Sequence, residues 1–242
     1  MRNRIKIMAV LTLAVALCAG LALSAQATTT LDFALGPPHP ATASISYAGG
    51  NASLVGKDIN VFNVQLLGGG PILTIWGGDL DFTTGTNSGY AGGVWTFGGG
   101  PNTSITIHGG IPQVANPNPL NPADWIIQPG TLLLSGTFGE AQVFALGNSS
   151  YKIAGAAFQD TKNADLLTLF GLSGLASLQW DGNFNISFIA TTNPTTHSFG
   201  TANSLAVYSG DLTNTVPVPA TVLLLGSGLL GLVGLGFRRR KD

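Results

Sequence analysis

Apolar and polar residues alternate with period two through most of the middle of the chain, the pattern of strands with one buried face. It runs through residues 43–47 (ASISY), 59–66 (INVFNVQL) and 72–76 (ILTIW), and resumes at 94–97, 103–108, 131–138, 141–146 and 151–158. Glycine and asparagine punctuate the gaps, as turns require. Residues 175–180 and 183–190 flank Asp181-Gly182, a dipeptide that tolerates the positive φ values of a tight hairpin, so a hairpin is expected there. One segment breaks the alternation. Residues 163–170 (NADLLTLF) read as a short helix, opened by Asp160 or Asn163 as cap and closed by Gly171. Five prolines between residues 109 and 130 exclude a ladder strand and predict a long ordered loop. Many short strands with one helix predict an all-β domain, an antiparallel β-sandwich or jelly-roll-like fold whose end the helix plugs.

At both ends the alternation gives way to continuous apolar runs. Arg2, Arg4 and Lys6 precede an apolar stretch at 8–23, and Ala25-Gln26-Ala27 supplies the small residues that signal peptidase reads. This predicts a secretory signal peptide over 1–27, cleaved between Ala27 and Thr28. Leu17 before Cys18 argues against lipidation, and Asn3 separates the arginines that a twin-arginine signal would pair, so the general secretion machinery is the expected route. Toward the other end, residues 220–237 are uncharged, long enough for a helix of about 27 Å that just spans a bilayer. Arg238, Arg239, Arg240 and Lys241 follow at once. Such a basic cluster stays on the cytoplasmic side, so a single C-terminal transmembrane helix is expected, with everything before Val216 outside.

The motif Val216-Pro217-Val218-Pro219-Ala220-Thr221, the Gly-rich apolar run and the terminal RRRK cluster together resemble the PEP-CTERM sorting signal of exported Gram-negative bacterial proteins. Val218 stands where the family's name records a Glu. The resemblance covers residues 216–242 and implies recognition by an exosortase, a membrane-embedded protease or transpeptidase that processes its substrate at the motif. It also implies transient anchoring in the inner membrane, then delivery to the cell envelope, the outer surface or an exopolysaccharide matrix. The chain therefore divides into a signal peptide (1–27), an all-β mature domain (28–215) and a sorting signal (216–242).

Charge changes the picture once the ends are set apart. The whole chain carries −1, but the middle domain holds only Lys57, Lys152 and Lys162 against ten acids, a net −7. A surface without clustered cations has nothing to offer phosphate, which excludes nucleic acid as a partner. The 34 glycines and 13 prolines follow no G-X-Y period, which excludes a collagen-like chain. Cys18, the only cysteine, lies in the leader, so the mature domain has no disulfide and depends on its core.

Candidate chemistry is sparse. Asp124 beside Trp125 in the Pro-rich loop offers a glycan contact, an indole face with a carboxylate to accept hydroxyl protons; the competing reading buries Trp125 with Ile126 and Ile127 as a loop anchor. Asp79 and Asp81 share a strand face and suit a surface Ca²⁺, but Thr192 stands where an EF-hand starting at Asp181 needs Glu. His39, His108 and His197 are scattered, no G-x-S-x-G surrounds a serine, and Glu140 is the lone glutamate. Asn51, Asn102, Asn148 and Asn185 open N-x-S/T sequences and read as polar turn and strand residues. No catalytic, cofactor or metal residue is assigned. The expected role is a non-enzymatic surface or matrix protein, the alternative a carbohydrate-binding module for the host's own exopolysaccharide.

Overall fold

A computed structural model describes residues 29–201 and 207–216; the expected signal peptide, the transmembrane helix and the basic cluster lie outside the described residues. Thr29–Val216 forms one compact unit. Its strands are β1 (Thr30–Leu35), β2 (Ser44–Tyr47), β3 (Ser53–Leu66), β4 (Ile72–Thr74), β5 (Trp76–Ala91), β6 (Val94–Gly98) and β7 (Ser104–Pro112), then β8 (Trp125–Gly147), β9 (Ser150–Lys162), β10 (Trp180–Ile189), β11 (Thr191–Thr192), β12 (Phe199–Gly200) and β13 (Val207–Thr215). A short helix α1 (Ala164–Leu169) follows β9.

All strand pairings are antiparallel, and they close on themselves. Going round, β1 pairs with β3, β3 with β5, β5 with β7, and so on through β8, β9, β10 and β13 back to β1. The expected sandwich or jelly roll is therefore corrected to an eight-stranded barrel built from one sheet. The reason lies in the long strands. β5 pairs β7 through Trp76 to Thr83 and then β6 through Asn87 to Ala91, while β8 changes partner in the same way, from β7 to β6. Each change comes with register shifts that bend the wall until Ile59 meets Leu80 across β3 and β5. Closure removes the edges of the eight-stranded ring, and the short strands β4 and β11 outside it each keep a single partner.

Two segments expected as separate strands, 131–138 and 141–146, are one strand, β8; the intervening Gly139-Glu140 is a register shift against β9, not a turn. The hairpin expected at Asp181-Gly182 does not form, because both residues lie inside β10. Gly182 sits opposite Phe158, and a Cβ there would come within 2.1 Å of that ring. The glycine admits an aromatic ring across the strand pair instead of turning the chain. The 109–130 loop is shorter than expected, since β7 runs to Pro112 and β8 starts at Trp125. The helix is where the pattern placed it. Asn163 caps it, its side chain accepting from the N–H groups of Asp165 and Leu166, while Gly171 at φ +71° ends it; Asp160 takes no part in the cap.

Eight strands leave an interior just wide enough to fill with side chains. At mid-height Phe82, Phe138, Phe158 and Phe184 pack with ring centroids 5.2 to 6.3 Å apart. Toward the Phe188 end of β10 the filling is aromatic: Tyr47, Trp95, Phe97, Tyr151, Phe188 and Phe199. Toward the Trp180 end it is polar and charged, with Asp160, Lys162 and Asn214 buried beside Trp180. Leu166 and Leu167 of α1 join the same core.

Candidate functional site

The Pro-rich loop is built around Asn118, Asn121 and Asp124. Asp124 accepts through Oδ2 from the Asn118 N–H at 2.8 Å and through Oδ1 from the Asn121 amide at 2.7 Å. Trp125 donates its indole N–H to the Asn118 carbonyl at 3.0 Å and is only 5% exposed. Both members of the predicted glycan contact are thus engaged in holding the loop, and the anchor reading describes Trp125, while Ile126 points outward. An accessible aromatic lies next to Trp125. Trp76, 42% exposed at the start of β5, meets Trp125 edge-on with centroids 5.3 Å apart. The contact joins segments 49 residues apart, a relation that the local sequence does not display.

Asp79 and Asp81 share an outward face, as alternation requires. Asp81 accepts from the N–H of Asp58, and Asp79 lies 3.5 Å from His108 Nδ1. Burial raises the Asp79 carboxyl above its usual range, His108 opposes that, and Asp81 and Asp58 reinforce it. Among the described residues no three His, Cys, Asp or Glu are arranged to hold a metal ion.

The three histidines have three separate settings. His39 donates from Nε2 to the Val207 carbonyl and accepts at Nδ1 from the Asn60 N–H; burial lowers its pKa. His108 faces Asp79, and His197 stacks on Tyr90 at 4.0 Å. Glu140 is exposed and accepts from Gln142.

The buried polar cluster is the constellation that the sequence reading passed over. Lys162 and Asp160 form an ion pair with both side chains fully withdrawn from solvent. Lys162 Nζ also donates to Asn214 Oδ1 at 2.9 Å and lies 5.1 Å from the centre of the Trp180 ring. Desolvation pushes Asp160 up to about 6 and pulls Lys162 down to about 8, each shift partly offset by the other's charge. Among the described residues Asp160 Oδ2, Asn214 Nδ2 and Trp180 Nε1 have no hydrogen-bond partner. Parity along the chain carries the signal. Phe158, Asp160 and Lys162 alternate onto one face, so extending the 151–158 strand by four residues would have placed both charges inside.

The ends of the domain lie together. β1 and β13 are neighbours, Thr30 pairs with Thr215, and the N–H of Val216 donates to the Thr29 carbonyl at 3.3 Å. Compared with known proteins, the chain matches one family model, the PEP-CTERM protein-sorting motif, over residues 215–241. No curated protein and no solved structure matches it. The match starts at Thr215, the last residue of β13, so the sorting signal begins where the barrel wall ends. The signal marks an exported chain sorted through exosortase, a membrane enzyme.

Proposed function

We propose that this exported, exosortase-sorted chain delivers a closed, non-enzymatic β-barrel to the cell envelope, outer surface or exopolysaccharide matrix. The uncharged run at 220–237 holds it at the inner membrane until the chain is processed within Val216 to Thr221. The observation that supports this reading is the adjacency of Thr29 and Val216 at the ends of paired strands. Removing the leader and the sorting signal cuts no strand of the ring, so trimming at both ends releases a complete domain. The non-enzymatic part follows the described settings of three outward groups: His108 faces Asp79, Glu140 accepts from Gln142, and His197 stacks on Tyr90. Replacing Pro217 and Pro219 with alanine tests the reading in the native host. The variant should accumulate in the inner membrane while the parent chain reaches the outer envelope or matrix fraction; equal distribution of the two would overturn it.

Trp76 favours a second reading, a carbohydrate-binding module for the host's own exopolysaccharide. An indole presented at the surface and propped edge-on by a buried partner is a rigid stacking face for a sugar ring. Trp76→Ala should abolish retention on that polysaccharide and leave the melting temperature within a degree or two. Retention unchanged by the substitution would remove this reading.

A further inference from the structure

We propose that Lys162 and Asn214 become joined by an intramolecular amide bond, Lys162 Nζ to Asn214 Cγ, that staples β9 to β13 inside the barrel, with Asp160 managing the protons. The geometry places the nucleophile, the electrophile and an acid on one atom. Lys162 Nζ touches the carboxylate of Asp160 and the amide oxygen of Asn214 together, and all three side chains are sealed from solvent.

The hydrogen bonding is incomplete in the places that chemistry needs. A purely structural buried ion pair is stable when its remaining lone pairs and protons are satisfied. Here the outer oxygen of Asp160 and the amide nitrogen of Asn214 have no partner among the described residues. Asn214 is held by its oxygen while its nitrogen, the group that must leave, is held by nothing described.

The surroundings bring the reactive protonation states closer to the charged pair in free energy. Burial destabilises both the ammonium and the carboxylate, so moving one proton from Lys162 to Asp160 removes two charges from an apolar interior. The neutral amine then attacks Asn214 Cγ, and the Asp160 carboxyl donates to the carbonyl oxygen as it gains charge. The Cγ–Nζ bond forms and the Cγ–Nδ2 bond breaks. Asp160 carries one proton from Nζ to the departing nitrogen, ammonia leaves, and Asp160 ends as a neutral carboxyl. No water, oxidant or other reactant is consumed. The phenylalanine cluster at mid-barrel and the Trp180 ring enclose the site in apolar surface, which disfavours the competing attack by water.

The bond would do for this domain what its cysteine content forbids. Its two ends are 52 residues apart in sequence and lie on strands separated by β10, so the link closes a long loop covalently. It also fixes β13, the strand from which the sorting signal departs.

Peptide mass spectrometry on the purified, denatured full chain tests the proposal. With chymotrypsin, which cuts the main chain between residues 162 and 214 at Phe170, Phe188 and Phe199, a branched peptide joining the Lys162 segment to the Asn214 segment is expected, lighter than the two together by one ammonia, about 17 Da. Trypsin should fail to cut after Lys162, and Asp160→Asn should restore both the cut and the full mass. A free tryptic peptide ending at Lys162, recovered from chain that was folded before digestion, would overturn the cross-link. A bridge lighter by one water, about 18 Da, would place the bond on a carboxylate and overturn the assignment to Asn214. A branched peptide that persists in Asp160→Asn would overturn the role given to Asp160.

Discussion

The two ends of the barrel interior are filled by opposite means. At the Phe188 end, Trp95, Tyr151, Phe188 and Phe199 interlock, and the polar atoms they bring inside are satisfied: the Trp95 N–H donates to the His197 carbonyl, the Tyr47 hydroxyl to the Gly50 carbonyl, and Tyr151 pairs with Thr192. At the Trp180 end, Lys162 and Asp160 are buried with three polar atoms left without a described partner. The first end stabilises by area and shape. The second carries a desolvation cost with part of its hydrogen bonding unmet among the described residues, an arrangement the proposed amide bond accounts for.

Breaking each end should therefore give different results. At the aromatic end Trp95→Ala empties a well-packed site and should lower unfolding free energy by about 4 kcal/mol in a urea titration. At the charged end, replacing Lys162 with Met and Asp160 with Leu together removes both charges. A non-covalent pair predicts no loss or a gain from that exchange. The cross-link predicts a loss of about 4 kcal/mol, the closure entropy of a loop of this length.

The pH dependence sharpens the same contrast. Asp160 is raised from 3.8 to about 6, so the folded chain holds that proton more tightly than the unfolded one; its contribution is fully present below pH 4 and is lost as pH rises to 6, about 3 kcal/mol in all. Lys162 as a free amine is lowered from 10.5 to about 8, so the unfolded chain binds more protons between those values and stability should rise with pH across them. Asn214→Ala leaves the amine free and should show that alkaline rise, whereas the linked parent should lack it. His39, held neutral by burial, adds an opposing acid slope to parent and variant alike, so the difference between the two curves isolates the charged end. Smallest in stability, and read instead by processing, is Val218→Glu. It restores the residue recorded in the sorting family's name and should raise the fraction of chain cleaved at the motif without moving the melting temperature.

What the sequence displayed and what it concealed separate by range. Alternation located the cores of β2, β6 and β9, and the Asn163 cap with Gly171 located α1, because those patterns are decided within a few residues. Closure rests on the β3–β5 register, a pairing between distant segments that leaves no local mark. Asp181-Gly182 has hairpin chemistry in isolation, yet Phe158 on the neighbouring strand claims the space over Gly182. The charged cluster was legible only by counting parity to the end of β9, four residues beyond the expected strand. The sorting signal was legible throughout, since motif, apolar run and cations follow one another along residues 215–241.

The intact mass of the protein recovered from its native host, compared across membrane, outer-envelope and culture fractions, tests the central claim most directly. A released barrel predicts a species outside the inner membrane that begins at Thr28 and lacks the residues after Pro219, lighter by one further ammonia where the staple has formed. A species confined to the membrane fraction and still carrying residues 238–242 would contradict it, leaving a membrane-tethered domain that the exosortase does not process.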